Sequence, residues 1–202
     1  MNIYLVRHAE KDTSSKNTIE EHYHRNLTGI GLQQAKLLAI ELAEYSINKV
    51  YSSDMLRAVQ TAKAVTDGLH IKQISKSKNL READPCIVPN LPNRNEVKIK
   101  CWADWNFKPE NGESYNEGKE RFSKYFWNNI VATNEDENNI LIVSHGRIIR
   151  LFLSDFLEGG EEAIKDKYNH VAITKLIIDK DKKSLKIMKY NDNSYLPKTL
   201  RI

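Results

Sequence analysis

At 202 residues, 40% of them hydrophobic and 29% charged, the chain carries enough apolar material for one buried core and too much for a disordered polymer. Its 31 basic and 27 acidic residues leave a net charge of +4, a surplus that suits small anionic ligands and is too small to argue for nucleic acid. No apolar run approaches the roughly 20 residues of a membrane span, no secretory leader is visible, and two cysteines without a CxxC pattern, Cys86 and Cys101, fit a reduced cytoplasmic protein without a structural disulfide.

The chain opens on Asn2-Ile3-Tyr4-Leu5-Val6, a buried strand that stops abruptly at Arg7-His8. Two polar side chains are thereby delivered to a sheet edge, where ligands collect in open α/β sheets. Lys11 to Asn26, rich in charge, Ser and His, reads as a loop; its His22-Tyr23-His24 spacing is more often solvent-exposed than metal-binding, and no metal is expected. Thr28 is the N-cap of a helix in which Leu32, Ala35, Ala39, Leu42 and Ala43 recur at helical spacing. Lys49-Val50-Tyr51-Ser52 is a short strand, after which Ser52 or Ser53 caps a second helix with Asp54 in its first turn. Met55, Val59, Ala62 and Val65 form that helix's apolar face, and Arg57 sits about one turn in. The helix ends near Gly68, and Ile71 to Ile74 form another short strand.

From Asn79 to Asn111 the pattern breaks down. Pro85, Pro89, Pro92 and Pro109 rule out a long regular element, yet Trp102, Trp105 and Phe107 are too apolar for a free linker. The stretch at 83–111 is expected to be an ordered excursion packed on the main body as a lid. Gly112 to Val131 is amphipathic, anchored by Tyr115, Phe122, Phe126 and Ile130. Asn139 to Ser144 is the clearest buried strand; it stops at His145-Gly146-Arg147 and leads into a helix carrying Ile148, Ile149, Phe152, Leu153 and Phe156. Val171 to Ile178 and Leu185 to Tyr190 are two late strands. Strands alternating with helices imply a layered α/β fold with a largely parallel sheet, and no composition shift divides 1–202 into more than one domain.

Two places share one design, an apolar strand ending in a histidine: Leu5-Val6-Arg7-His8 and Ile142-Val143-Ser144-His145. If both strands are central, both imidazoles leave the same sheet edge, within reach of Arg57. Two histidines and two arginines converging there make an anion site with guanidinium forks matched to phosphate oxygens. The helix that starts beside His145 adds its dipole and its free N–H groups.

The pieces L-V-R-H-A-E at 5–10, L-T-G-I-G-L-Q-Q-A at 27–35, Y-S-S-D-M-L-R-A-V-Q-T-A at 51–62, L-R-E at 80–82, G-E-S at 112–114 and I-V-S-H-G at 142–146 occur in one order over most of the chain. In that ordered set the chain resembles the histidine phosphatase superfamily, also called the phosphoglycerate mutase-like family. The resemblance implies a three-layer α/β/α sandwich with a largely parallel central sheet, and a phosphoric monoester hydrolase that works without metal or cofactor because arginines supply the charge. It makes His8 the nucleophile that accepts the phosphoryl group, with Arg7, Arg57 and His145 binding the phosphate and His145 also counted among the catalytic groups. Glu82 takes the place of the acid that protonates the leaving oxygen and then activates water. The implied partner is a small phosphorylated substrate, not nucleic acid or a membrane. Mutase-type phosphoryl transfer and a non-catalytic phosphate-binding module are the alternatives; mutases of this kind tend to be longer, and a binding module need not keep both histidines and both arginines. Departures are local. Ala9 stands where the family usually has Gly, Lys11 where Thr or Ser is common, and Ser14 where Asn is frequent. The G-x-W-E-G pattern that often follows the acid is replaced after Glu82, so the substrate pocket does not carry over.

Overall fold

In the computed structural model, which describes residues 1–14, 23–83 and 94–202, Asn2–Arg7 (β1), Lys49–Ser53 (β2), Ser75–Ser77 (β3), Asn139–Ser144 (β4), Ile173–Asp179 (β5) and Ser184–Asp192 (β6) form one sheet. The order is β3-β2-β4-β1-β5-β6. β3, β2, β4 and β1 run parallel, while β5 and β6 pair antiparallel at the far side. The sheet is therefore largely parallel, as expected, and closes on an antiparallel hairpin. β1 and β4 occupy its centre, so both of their faces are covered and they read as unbroken apolar runs rather than as alternating ones.

Alternation sends successive side chains of these two strands into different cores. Tyr4, Val6, Leu141 and Val143 meet Gly29–Leu42 (α1) and Leu56–Gly68 (α2) on one face. Ile3, Leu5, Ile140 and Ile142 meet Arg94–Ala103 (α3), Tyr115–Tyr125 (α4) and Gly146–Leu153 (α5) on the other. Helices on both faces of the sheet give the three layers.

Local chemistry explains most boundaries. The Thr28 hydroxyl accepts the Gly31 N–H at 3.0 Å and caps α1. Ala35, Leu38, Ala39 and Leu42 face the sheet, and the same stripe carried one turn back falls on Gly31, so Leu32 turns outward and is 48% exposed, contrary to the sequence pattern. Neither Ser52 nor Ser53 caps α2, which begins after Met55 without a side-chain cap. Asp54 is instead clamped by Arg81 through two contacts of 2.6 Å. Ile71 to Ile74 is not a strand: His70 has a φ of +57° and the Ile71 N–H returns to the Thr66 carbonyl, so the chain is still leaving α2 and pairs with β2 only from Ser75. α4 opens on a capping box between Ser114 and Glu117. The anchors of this stretch, Tyr115 and Phe122 within α4 and Phe126 and Ile130 just beyond it, are all fully buried. Phe152 of α5 lies 5.1 Å from Phe122 and 4.7 Å from Phe126 by ring centroid, each such side chain worth about 1.5–3 kcal/mol on burial.

The excursion holds a regular element after all, the ten-residue helix α3, because the proline-free stretch at 94–103 places Val97 and Cys101 on the core. Trp105 is buried, and Trp102 stands edge-on to Tyr115 at 4.9 Å, so these aromatic residues serve packing. Residues 84–93, with Cys86 and three of the prolines, lie outside the described residues, as does His22; His24 is exposed. No described helix is long and apolar enough to cross a membrane.

One contact ties α1 to the segment after β1. A Cβ on Gly31 would stand 2.0 Å from the Glu10 carbonyl oxygen, a backbone atom that cannot rotate away. Gly31→Ala is expected to cost about 1–3 kcal/mol in a denaturant titration and to lower phosphate affinity with it, since Glu10 is two residues from His8.

Candidate active site

The register of β1 on β4 builds the site. Arg7 lies opposite Ser144, so the next residues, His8 and His145, leave adjacent strands side by side. Their rings are 5.1 Å apart by centroid at 66°. The His8 N–H bonds the Ser144 carbonyl at 2.9 Å, extending the ladder one step past the strand end. Both histidines are buried.

Arg57 enters from the first turn of α2 and is 1% exposed. Its Nε donates to His8 Nε2 at 3.1 Å, and its Nη2 lies 3.3 Å from His145 Nδ1. On the far side of the His8 ring, Nδ1 lies 2.7 Å from the Ala9 carbonyl, which can only accept. The proton of neutral His8 is therefore on Nδ1, and Nε2 presents its lone pair into the site. Burial, followed by Arg57, His145, Arg7 and Lys11, lowers the His8 pKa well below the usual 6.5 and keeps the ring neutral. His145 Nε2 faces Ser53 Oγ at 2.9 Å, which orients the second ring.

Arg7 donates to the Tyr168 carbonyl. Burial lowers its pKa to about 10, against the opposing effect of Glu82, so the guanidinium stays charged at neutral pH. A Cβ on Gly146 would come within 3.1 Å of Arg7 Cδ, so the glycine after His145 makes room for this side chain. Glu82 is brought to the same place by α5. Its Oε1 accepts the Ile148 N–H at 2.8 Å, and its Oε2 the Arg147 N–H at 3.3 Å. The sequence pattern left these N–H groups free for phosphate; the Glu82 carboxylate uses them instead, at the helix end where negative charge is favoured.

Arg7, His8, Arg57, Glu82 and His145 are thus placed at one end of the sheet. Four other contributors carry no such signal in the sequence. Ser53 reads there only as a helix cap. Thr61 accepts the Ala9 N–H at 3.0 Å and donates to the Arg57 carbonyl at 2.8 Å, tying the His8 segment to α2. His170 lies 6.0 Å from His8 by ring centroid, and nothing in its polar surroundings before β5 marks it. Lys11, conspicuous only as a departure from the family pattern, is half-buried beside Arg57 and Arg25, and burial with those charges lowers its pKa to about 7. Among the described residues no group of three or more His, Cys, Asp or Glu side chains is placed to hold a metal ion.

What the arrangement offers is a neutral imidazole nitrogen directed into a pocket of fixed cations, with a carboxylate beside it. The model of the histidine phosphatase superfamily (branch 1) matches residues 3–192. The chain belongs to that superfamily. Among curated relatives, the mitochondrial serine/threonine-protein phosphatase Pgam5 of Drosophila grimshawi is 31% identical over 206 residues, covering 98% of this chain and 65% of its own length. The chain therefore spans about two thirds of that relative. Among solved structures, a mycobacterial glucosyl-3-phosphoglycerate phosphatase superposes with a TM-score of 0.77 at 17% identity, covering 95% of this chain and 99% of that one. The phosphoserine phosphatase of Entamoeba histolytica, solved as a point mutant with phosphoserine, gives 0.76 at 18% identity over 97% and 99%. At such identities the structures establish the superfamily's fold for this chain, a three-layer α/β/α sandwich.

Burial also lowers the His170 pKa to about 3. Folded His8 and His170 thus stay neutral where the unfolded chain takes up protons, below about pH 6.5. The unfolded state then binds more protons, so stability falls as pH drops from about 6.5 toward 3. Thermal unfolding at pH 7 and pH 5 should show that loss, and His170→Asn should reduce it.

Proposed function

We propose that this superfamily member is a metal-independent phosphatase that hydrolyses a small phosphomonoester through a phosphohistidine on His8. The observation that carries the reading is the locked His8 ring: Nδ1 is held by the Ala9 carbonyl, so the lone pair is on Nε2, where it accepts the Arg57 Nε–H at 3.1 Å until a phosphoryl group takes up the guanidinium. Nε2 attacks phosphorus, the bond to the ester oxygen breaks, and that oxygen takes a proton from Glu82. Water then attacks the phosphohistidine, gives its proton to Glu82, and the N–P bond breaks to release phosphate. Arg7 and Arg57 hold the phosphoryl oxygens while charge moves between attacking and leaving atoms, and His145, oriented by Ser53, completes the cradle. The backbone N–H groups of Arg147 and Ile148 fix the Glu82 carboxyl group. The name of the Pgam5 relative, a protein phosphatase at 31% identity, supports the hydrolase reading over mutase-type transfer.

We read the 202 residues as one histidine phosphatase domain, supported by a sheet whose central strand β1 pairs with both β4 and β5. A cytoplasmic setting is favoured by composition alone. Nucleic acid and membrane are not among the partners proposed, since the surplus of basic over acidic residues is small.

Hydrolysis of an aryl phosphate in chelator by wild type beside His8→Ala tests the reading. Wild type should keep full activity and His8→Ala should fall to background, while alkaline quenching traps an acid-labile phosphoenzyme in wild type only. Equal hydrolysis by both proteins overturns the assignment, and conversion of 3-phosphoglycerate to 2-phosphoglycerate with a bisphosphate primer would favour the mutase. Glu82→Gln should lower kcat by about 10²–10⁴-fold, measured on an alkyl phosphate whose leaving group needs the proton.

A further inference from the structure

Of the ordered motifs, G-E-S at 112–114 takes no part in the phosphate site. Ser114 caps α4, and Glu113 grips Arg121 of the same helix with both oxygens, Oε2 at 3.0 Å from Nε and Oε1 at 2.5 Å from Nη2. The pair is half-buried. The guanidinium turns its remaining donors on the backbone that leads to Glu82. Its Nη1 donates to the Asn79 carbonyl at 2.7 Å and more loosely to that of Lys78 at 3.4 Å, while Nη2 lies 3.3 Å from the Arg81 carbonyl. β3 ends at Ser77, so this backbone has left the sheet, and Glu82 follows a single 3-10 turn at Lys78–Leu80 and the extended Arg81. Other side chains take the neighbouring carbonyls: Ser144, at the end of β4, donates to Leu80 at 2.7 Å, and Arg147 of α5 donates to Ala83. A Cβ on Gly118 would stand 3.1 Å from the Ala83 Cβ and 3.2 Å from Glu113 Oε1, so α4 lies directly against the same backbone.

Two sets of contacts therefore place the acid. The Arg147 and Ile148 N–H groups hold the carboxylate itself, and Arg121 with Ser144 holds the main chain behind it. The first set depends on charge, because bonds from N–H groups to an ionised carboxylate are roughly twice as strong as those to a neutral acid. Glu82 must be neutral when it protonates the leaving oxygen. Its tether to α5 is thus weakest at the step that most needs its position. The Arg121 contacts end on carbonyls and do not change with the protonation of Glu82.

We infer that Arg121, oriented by Glu113, is a positioning residue for the Glu82 acid: it fixes the backbone from Asn79 to Arg81 so that the protonated carboxyl group stays beside the leaving oxygen. The inference rests on the phosphatase reading above and on Glu82 as its acid. Arg121 spends its N–H donors on Glu113 and on carbonyls, so it acts through Glu82 and not on the phosphate.

The test compares kcat/KM, which covers the steps up to loss of the leaving group, for phenyl phosphate and 4-nitrophenyl phosphate. Arg121→Met should lower the value for phenyl phosphate by about tenfold or more and that for 4-nitrophenyl phosphate by less than about threefold, since nitrophenolate leaves without a proton. In a Glu82→Gln background, adding Arg121→Met should change either value by no more than about twofold, because the acid through which it acts is already gone. A merely structural role would lower both substrates alike, or add its full loss to that of Glu82→Gln; either result overturns the inference. Glu113→Gln keeps Arg121 but removes the charge that orients it, and should give the same selective loss at about threefold or more. That variant decides the matter if Arg121→Met does not fold, and an equal loss on both substrates, or none, overturns the inference there too. Failure of the catalytic reading shows differently, as the absence of a selective loss in Glu82→Gln itself.

Discussion

The parallel pairing of β1 with β4 sets Arg7 opposite Ser144, and the side-by-side exit of His8 and His145 follows from it. A shift of one residue would turn one strand's side chains to the wrong core. The apolar runs on both faces therefore lock the register that places the two imidazoles 5.1 Å apart. Stability and geometry come from the same hydrophobic contacts, so the site sits on the most deeply buried part of the fold.

Placing a nearly inaccessible guanidinium between two histidines has an electrostatic consequence. Arg57 cannot share protons with its neighbours, and its N–H groups make the facing imidazole nitrogens acceptors. With the Ala9 carbonyl fixing Nδ1, the tautomer of His8 is set by structure before any ligand arrives. That preorganisation removes a rearrangement which would otherwise accompany binding. The Ala9 segment is itself held by Thr61 on α2, the helix that carries Arg57. The helix that delivers the cation thus also aligns the imidazole.

The start of α5 plays a different part from that of an open anion site. Two of its backbone N–H groups are taken by Glu82, so the helix end positions a carboxylate next to the cationic pocket. Glu82 then offsets part of the charge of Arg7 and Lys11 as well as lying at hand for proton transfer. The other end of α5 is held by packing, where Phe152 meets Phe122 of α4 and Phe126 just beyond it.

By itself the sequence determined the strand-end histidines, the central apolar strands, the Thr28 cap and the amphipathic anchors from Tyr115 to Ile130, because each is written as local periodicity or as a break in it. It also marked Arg57 and, through the ordered motifs, Glu82. Only the tertiary structure decided that Ser53 orients His145 rather than capping a helix, that Asp54 is paired with Arg81, that Leu32 faces outward, and that the stretch at 94–103 is helical. Those outcomes depend on partners many positions away in the chain, and local propensity carries no information about them. His170 is the sharpest case: it stands ahead of a late strand, and only the closing of the sheet brings it within 6.0 Å of His8 by ring centroid.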